Sequence, residues 1–96
     1  MIIVDITHDK ITLSGHADYA PKGYDIVCEA MGALTQTFAA SLPEWRTVTM
    51  ESGNVEFDIH DLSHDEAVML TSYKTGVDLL ASAYPANVHI INNNTK

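Results

Sequence analysis

The stretch RTVTMESGNVEFDIH, residues 46–60, decides the fold. Its two halves, 46–51 and 55–60, alternate apolar with polar residues, as strands with one buried face do. Between them Ser52-Gly53-Asn54 supplies turn residues suited to a hairpin. A mid-chain antiparallel hairpin argues against strict β-α-β alternation, in which helical crossovers join parallel strands.

The same logic extends in both directions. On the N-terminal side, residues 1–7 are rich in Ile and Val, and Asp9-Lys10 can turn the chain. Residues 11–16 then place Ile11 and Leu13 on one face and Thr12 and Ser14 on the other, which gives a first hairpin. Residues 17–24, ADYAPKGY, read as a loop through Pro21 and Gly23. Asp25 is a good helix N-cap, and Val27, Met31, Leu34 and Phe38 follow at helical spacing until Pro43 forbids continuation. On the C-terminal side, Ser63 and Glu66 form a capping-box pattern. Glu66, Leu70, Tyr73, Val77, Leu80 and Tyr84 keep a helical period up to Pro85, Asn87–Ile91 reads as a last strand, and the tail NNNTK reads as frayed. The order β-β-α-β-β-α-β predicts an α+β fold: a mostly antiparallel five-stranded sheet with two helices on one face. Ninety-six residues make one domain, 1–96, large enough for a core but small enough to gain from pairing with a second copy.

The formal net charge of −8 excludes a primary nucleic-acid binder, since phosphate binding draws on Lys and Arg. One cysteine cannot make an internal disulfide, so a secreted disulfide scaffold is excluded too. The start MIIVDITHDK lacks the pattern of a signal peptide, and no apolar run reaches the roughly 18 residues of a membrane span. The expectation is a cytoplasmic protein with no membrane association.

That single cysteine, Cys28, falls in the first turn of the first helix, and His16 stands twelve residues before it (16 to 28) at the end of the second strand. A helix N-terminus favours a thiolate, and a nearby imidazolium favours it further. The thiolate is the nucleophile of acyl transfer, and the histidine can protonate the leaving amine. First-turn N–H groups are expected to be available to an oxyanion. Gly23 lends the loop backbone freedom before the helix, Gly15 admits a close backbone approach beside His16, and the loop can close over a bound peptide. The plain alternatives are a cysteine that packs as a small hydrophobe and a histidine that is only structural.

Gly15-His16-Ala17, the loop glycine Gly23 and Asp25-Ile26-Val27-Cys28, joined at this spacing, resemble the ribosomal-processing cysteine protease (Prp) family. Tyr19 and Ala20 resemble the family's loop as well. The resemblance implies a homodimeric α+β enzyme with a Cys-His dyad, here Cys28 and His16, and no metal or organic cofactor. It implies a substrate too: the N-terminal extension of a large-subunit ribosomal protein, cut after paired aromatic residues and before a small residue, or a phage capsid or scaffold protein with a similar sequence. Tyr19 and Tyr24 flank the loop and are candidates to line an aromatic-accepting pocket. The chain departs from the family at Glu29 and Gly32, where small residues and then a serine are usual, which marks a divergent or phage-type member. A catalytically inactive dimeric binding module of the same fold is the alternative.

Two other groupings point less far. His60 and His64, with His8, His16, His89 and Cys28, offer metal-binding residue types without ligand spacing on one rigid element, so no metal site is expected. Glu56, Asp58, Asp61, Asp65 and Glu66 form an acidic region that reads as a solvated surface, or as a docking face for a basic substrate. Trp45 and the tyrosines read as core or dimer interface.

Overall fold

The structure, a computed structural model, describes residues 1–21 and 23–93. Two strands, β1 (Ile2–Thr7) and β2 (Lys10–Ser14), form the first hairpin, and helix α1 (Ile26–Ala40) follows. A short 3-10 turn (Glu44–Arg46) leads into β3 (Thr47–Glu51) and β4 (Asn54–Asp58); α2 (His64–Ala83) and β5 (Val88–Asn93) complete the chain. The sheet order is β3-β4-β2-β1-β5. Three neighbouring pairs are antiparallel and β1–β5 is parallel, so the sheet is mixed, as an α2 crossover back to its edge requires.

β1, β2, β4 and β5 each carry a buried face. At the sheet edge β3 buries none of its residues and leaves Val48 and Met50 exposed, unlike the one-faced strand expected for 46–51. Ile2, Val4 and Ile6 of β1, Ile11 and Leu13 of β2, Phe57 of β4 and Val88 of β5 turn into a single core. Val27, Met31 and Phe38 of α1 and Tyr73 and Val77 of α2 cover that face. Phe38 is central: its ring stacks on Tyr73 at 4.5 Å and meets Phe57 edge-on at 5.1 Å. The Tyr73 hydroxyl reaches Thr35 at 2.9 Å, so the one polar tip in this cluster is satisfied, and burial pushes its phenol up to about 12.

Both helices start where their caps dictate. Asp25 accepts from the N–H groups of Val27 and Cys28, and Ser63 with Glu66 closes a reciprocal capping box. Several boundaries differ from the sequence reading. His16 lies two residues beyond β2 rather than on it, because Gly15 at φ +88 turns the chain off the sheet. Arg46 belongs to the 3-10 turn rather than to the third strand. Asn92 and Asn93, read as part of a frayed tail, continue β5 against β1, and residues 94–96 of that tail lie outside the described residues.

The acidic region is the larger correction. Arg46 is buried (3 % exposed) among its members and spends all five donors. Its Nε and Nη2 bind the two carboxylate oxygens of Glu66 at 3.1 and 3.2 Å. Nη1 donates to the carbonyls of Asp58 and His60, and Nη2 to that of Asp61. Asp58 in turn accepts from the His60 N–H and contacts its ring. Glu66 and Asp58 are therefore structural groups rather than a loose solvated patch. Trp45, half-exposed, lies under the Arg46 guanidinium at 4.2 Å instead of entering the core.

Candidate active site

The eleven residues from Gly15 to Asp25 carry the chain from the sheet to the helix layer, and short polar contacts hold both ends of this crossing. At its start the Gly15 N–H donates to the Gly53 carbonyl in the β3–β4 turn at 3.0 Å. The Met1 carbonyl occupies the space where a side chain at Gly15 would project, so this position requires glycine for room as well as for its φ of +88. Ala17 is fully buried, and its backbone faces two ways: its N–H donates to Cys28 Sγ at 3.3 Å, while its carbonyl accepts from Asn87 Nδ2 at 2.9 Å. At the end of the crossing Asp25 acts twice. Its Oδ1 caps the Val27 and Cys28 N–H groups, and its Oδ2 accepts from Tyr19 and Ala20 in the loop at 3.0 and 3.4 Å. The Cys28 N–H, then those of Tyr19, Ala20 and Val27, hold this carboxyl below the usual range, against the opposing pull of burial.

These contacts bring the sequence-selected residues to one place. His16 and Cys28 both open into a cavity of about 420 Å³. Cys28, at the third position of α1, is half-buried, and His16 is exposed at the rim. Among the described residues no hydrogen bond joins the two side chains, so they share a space without being locked together. The walls are largely apolar, from Ile2, Leu13, Met31, Met50 and Val55, and the β3–β4 turn closes one side. Such a cavity suits an apolar side chain of an extended peptide whose backbone passes the thiol.

Two expectations about the site change. The first-turn N–H groups of Val27 and Cys28 are already taken by Asp25, so they are not the free oxyanion donors anticipated. Tyr19 packs edge-on against Tyr84 at 5.4 Å, and Tyr24 projects outward, 78 % exposed. Neither tyrosine lines the cavity, because the loop turns back toward Asp25 before reaching it. Gly23, at φ +92 with open space around it, supplies the conformational freedom expected at the loop tip. Of the departures, Glu29 points to solvent, whereas Gly32 sits on the cavity wall one turn beyond Cys28. Two contributors went unnoticed in sequence: Asn87, whose side chain crosses 70 positions to hold Ala17, and the β3–β4 turn as a wall of the site.

Residues 1–89 match the family model for cysteine protease Prp. The chain belongs to this family. A ribosomal processing cysteine protease Prp from Mycoplasma pneumoniae is 36 % identical over 92 residues, covering 88 % of each chain. The fold is likewise that of the S. aureus Prp. Its structure with a covalently linked product peptide superposes with a TM-score of 0.87 at 19 % identity, over 97 % of this chain and all of that one. Its structure with a substrate peptide gives 0.79 at 22 % identity over the same extents. The α+β architecture, with its mixed sheet under two helices, is thus the Prp fold, and the cavity belongs to a cysteine protease of this family.

Proposed function

We propose that the protein is a cysteine endopeptidase in which Cys28 and His16 form the catalytic dyad, and that it removes the N-terminal extension of a large-subunit ribosomal protein or of a phage structural protein with a similar cleavage sequence. The observation that carries this reading is simple. A member of a cysteine protease family has one cysteine, and its sulfur opens into the same cavity as a histidine. The Cys28 thiolate attacks the scissile carbonyl, and the histidine protonates the departing amine. His16 then takes a proton from water as that water attacks the thioester, which releases the acid product and restores the thiolate and the protonated histidine. The Ala17 N–H already points at the sulfur, so one donor is in place for the nucleophile. The missing His–Cys hydrogen bond fits a site that tightens only around its peptide.

The apolar walls, rather than Tyr19 and Tyr24, are the surface proposed to accept the aromatic residues before the scissile bond. Cleavage before a small residue fits a passage beside a half-buried thiol. Asp25 supports the site by tying the loop to the helix start, with Gly15 and Gly23 allowing the crossing. No metal or organic cofactor takes part in this scheme. The homodimer and the cytoplasmic setting implied by the resemblance belong to the same proposal.

The test is cleavage of a peptide containing Phe-Phe-Ala, paired with the pH dependence of Cys28 alkylation. Cys28→Ala is expected to abolish cleavage, and His16→Ala to lower it by at least about 100-fold. A wild-type thiol that alkylates rapidly at pH 6 and slows without His16 supports the dyad. Peptide binding without cleavage by the wild-type protein favours an inactive binding module instead.

A further inference from the structure

Gly53 sits in the β3–β4 turn at φ +78, a conformation that by itself favours glycine. Its surroundings impose a second and separate demand. A Cβ at this position would stand 2.8 Å from Nε2 of His16, 3.2 Å from Cε1 and 3.5 Å from Cδ2. The Nε2 end of the imidazole therefore fills the space that any side chain at position 53 would need. The backbone repeats the contact one residue earlier, where the Gly15 N–H donates to the Gly53 carbonyl at 3.0 Å. Among the described residues the His16 ring makes no hydrogen bond to orient it, and its Nε2 edge rests on this turn.

We propose that Gly53 is a positioning residue for His16: the bare turn admits the imidazole to the cavity it shares with Cys28 and fixes where Nε2 lies during proton transfer. This rests on the dyad reading for its catalytic consequence, but not for the contact itself. Displacing a catalytic group by about 1 Å costs on the order of 100-fold in rate. A Cβ at 2.8 Å must push the ring by several tenths of an ångström, and because Nε2 is the outer end of an exposed side chain the ring can swing aside, so the effect falls on its position more than on the fold.

The experiment is a double-mutant cycle with a spectroscopic readout. Gly53→Ala is made in the wild type and in His16→Ala, and the loss of Tm is compared. Strain from the positive φ is the same in both backgrounds, whereas the clash exists only where the ring is present. The expected result is a Tm loss that is smaller in His16→Ala than in the wild type. Should Gly53→Ala fail to fold, its recovery by His16→Ala reports the same coupling, and failure in both backgrounds counts against the proposal. Gly53→Asn is the second variant, since asparagine tolerates a left-handed backbone yet carries the same Cβ. In it the His16 ring proton resonances are expected to shift, and kcat on the Phe-Phe-Ala peptide to fall on the order of 100-fold with KM within about threefold. Equal Tm losses in both backgrounds, or unchanged His16 resonances in folded Gly53→Asn, would overturn the proposal. Failure of the dyad reading would appear separately, as cleavage that survives His16→Ala while the cycle still returns its coupling.

Discussion

The β3–β4 hairpin has two polar ends built on opposite terms. At its open end Arg46 is buried, every guanidinium N–H has an acceptor, and the carboxylate it meets is held in a bidentate grip. At its turn the polar groups are few and incompletely engaged: a half-buried thiol receives one N–H, and an exposed imidazole rests on a glycine. A network with no free valence can stabilise but cannot react, because any incoming group must break something. A site with free valence can receive a substrate, at the cost of contributing little to the fold.

The largest effect that should break this contrast is at Arg46. Arg46→Met keeps much of the side-chain bulk but strands the Glu66 carboxylate and three backbone carbonyls. Removing one partner of a buried ion pair is strongly destabilising, and a fall in Tm of more than about 10 °C is expected. Cys28→Ala removes a half-buried sulfur and the acceptor of the Ala17 N–H, and should lower Tm by much less than Arg46→Met while abolishing cleavage. Thermal melting of both variants beside wild type checks the pair. A large Tm loss in Cys28→Ala would mean that the thiol is a structural group after all.

Asp25 belongs to both worlds and sharpens the comparison. It is buried and fully engaged like the Arg46 cluster, yet it holds the loop that presents Ala17 to the thiol. Its carboxyl lies below the usual range in the folded protein. A group lowered on folding stabilises above its unfolded value, and that contribution is lost as pH falls through the lower folded value. Asp25→Asn keeps one acceptor oxygen but turns an amide toward the Tyr19 and Ala20 N–H groups. Its Tm should be lower than wild type by a moderate margin at pH 7, and the gap should close as pH falls below the ordinary aspartate value of about 4. Melting curves across that range measure it. A gap independent of pH would show that the charge of Asp25 adds nothing to its hydrogen bonds.

What was legible in the sequence was local. The Asp25 cap, the Ser63–Glu66 box and the Ser52-Gly53-Asn54 turn each declare themselves within four residues, and they set the element order. That His16 and Cys28 would lie near one another was legible because a motif of fixed spacing joins them, and both line one cavity. The burial of Arg46 was not, since its acceptors come from residues 58–66, and an arginine beside an alternating run reads as a strand end on a wet surface. Nor was the parallel register of Ile2 with Val88, or the Asn87 amide on Ala17, because both depend on where α2 delivers the chain. The tyrosines misled for a related reason: proximity in sequence to a site says nothing about which way a folded-back loop faces.

The smallest expected effect separates two glycines that look alike in sequence. Gly53 has an imidazole where its side chain would be, but a Cβ at Gly32 would meet nothing within 4 Å, so packing there does not require glycine. Gly32 lies inside α1, where glycine costs up to about 1 kcal/mol relative to alanine. Gly32→Ala should therefore raise Tm by roughly 4 °C, and Gly32→Ser by less. Both substitutions project into the cavity beside Cys28, but only serine brings the hydroxyl usual in the family. If that hydroxyl engages the site, Gly32→Ser should exceed Gly32→Ala in kcat/KM by about 2- to 10-fold, the range of one added hydrogen bond. Equal values for the two would make Gly32 a position where this chain gave up helix stability without touching its chemistry. A difference would make the absent hydroxyl part of why the turn end of the hairpin is left so lightly engaged.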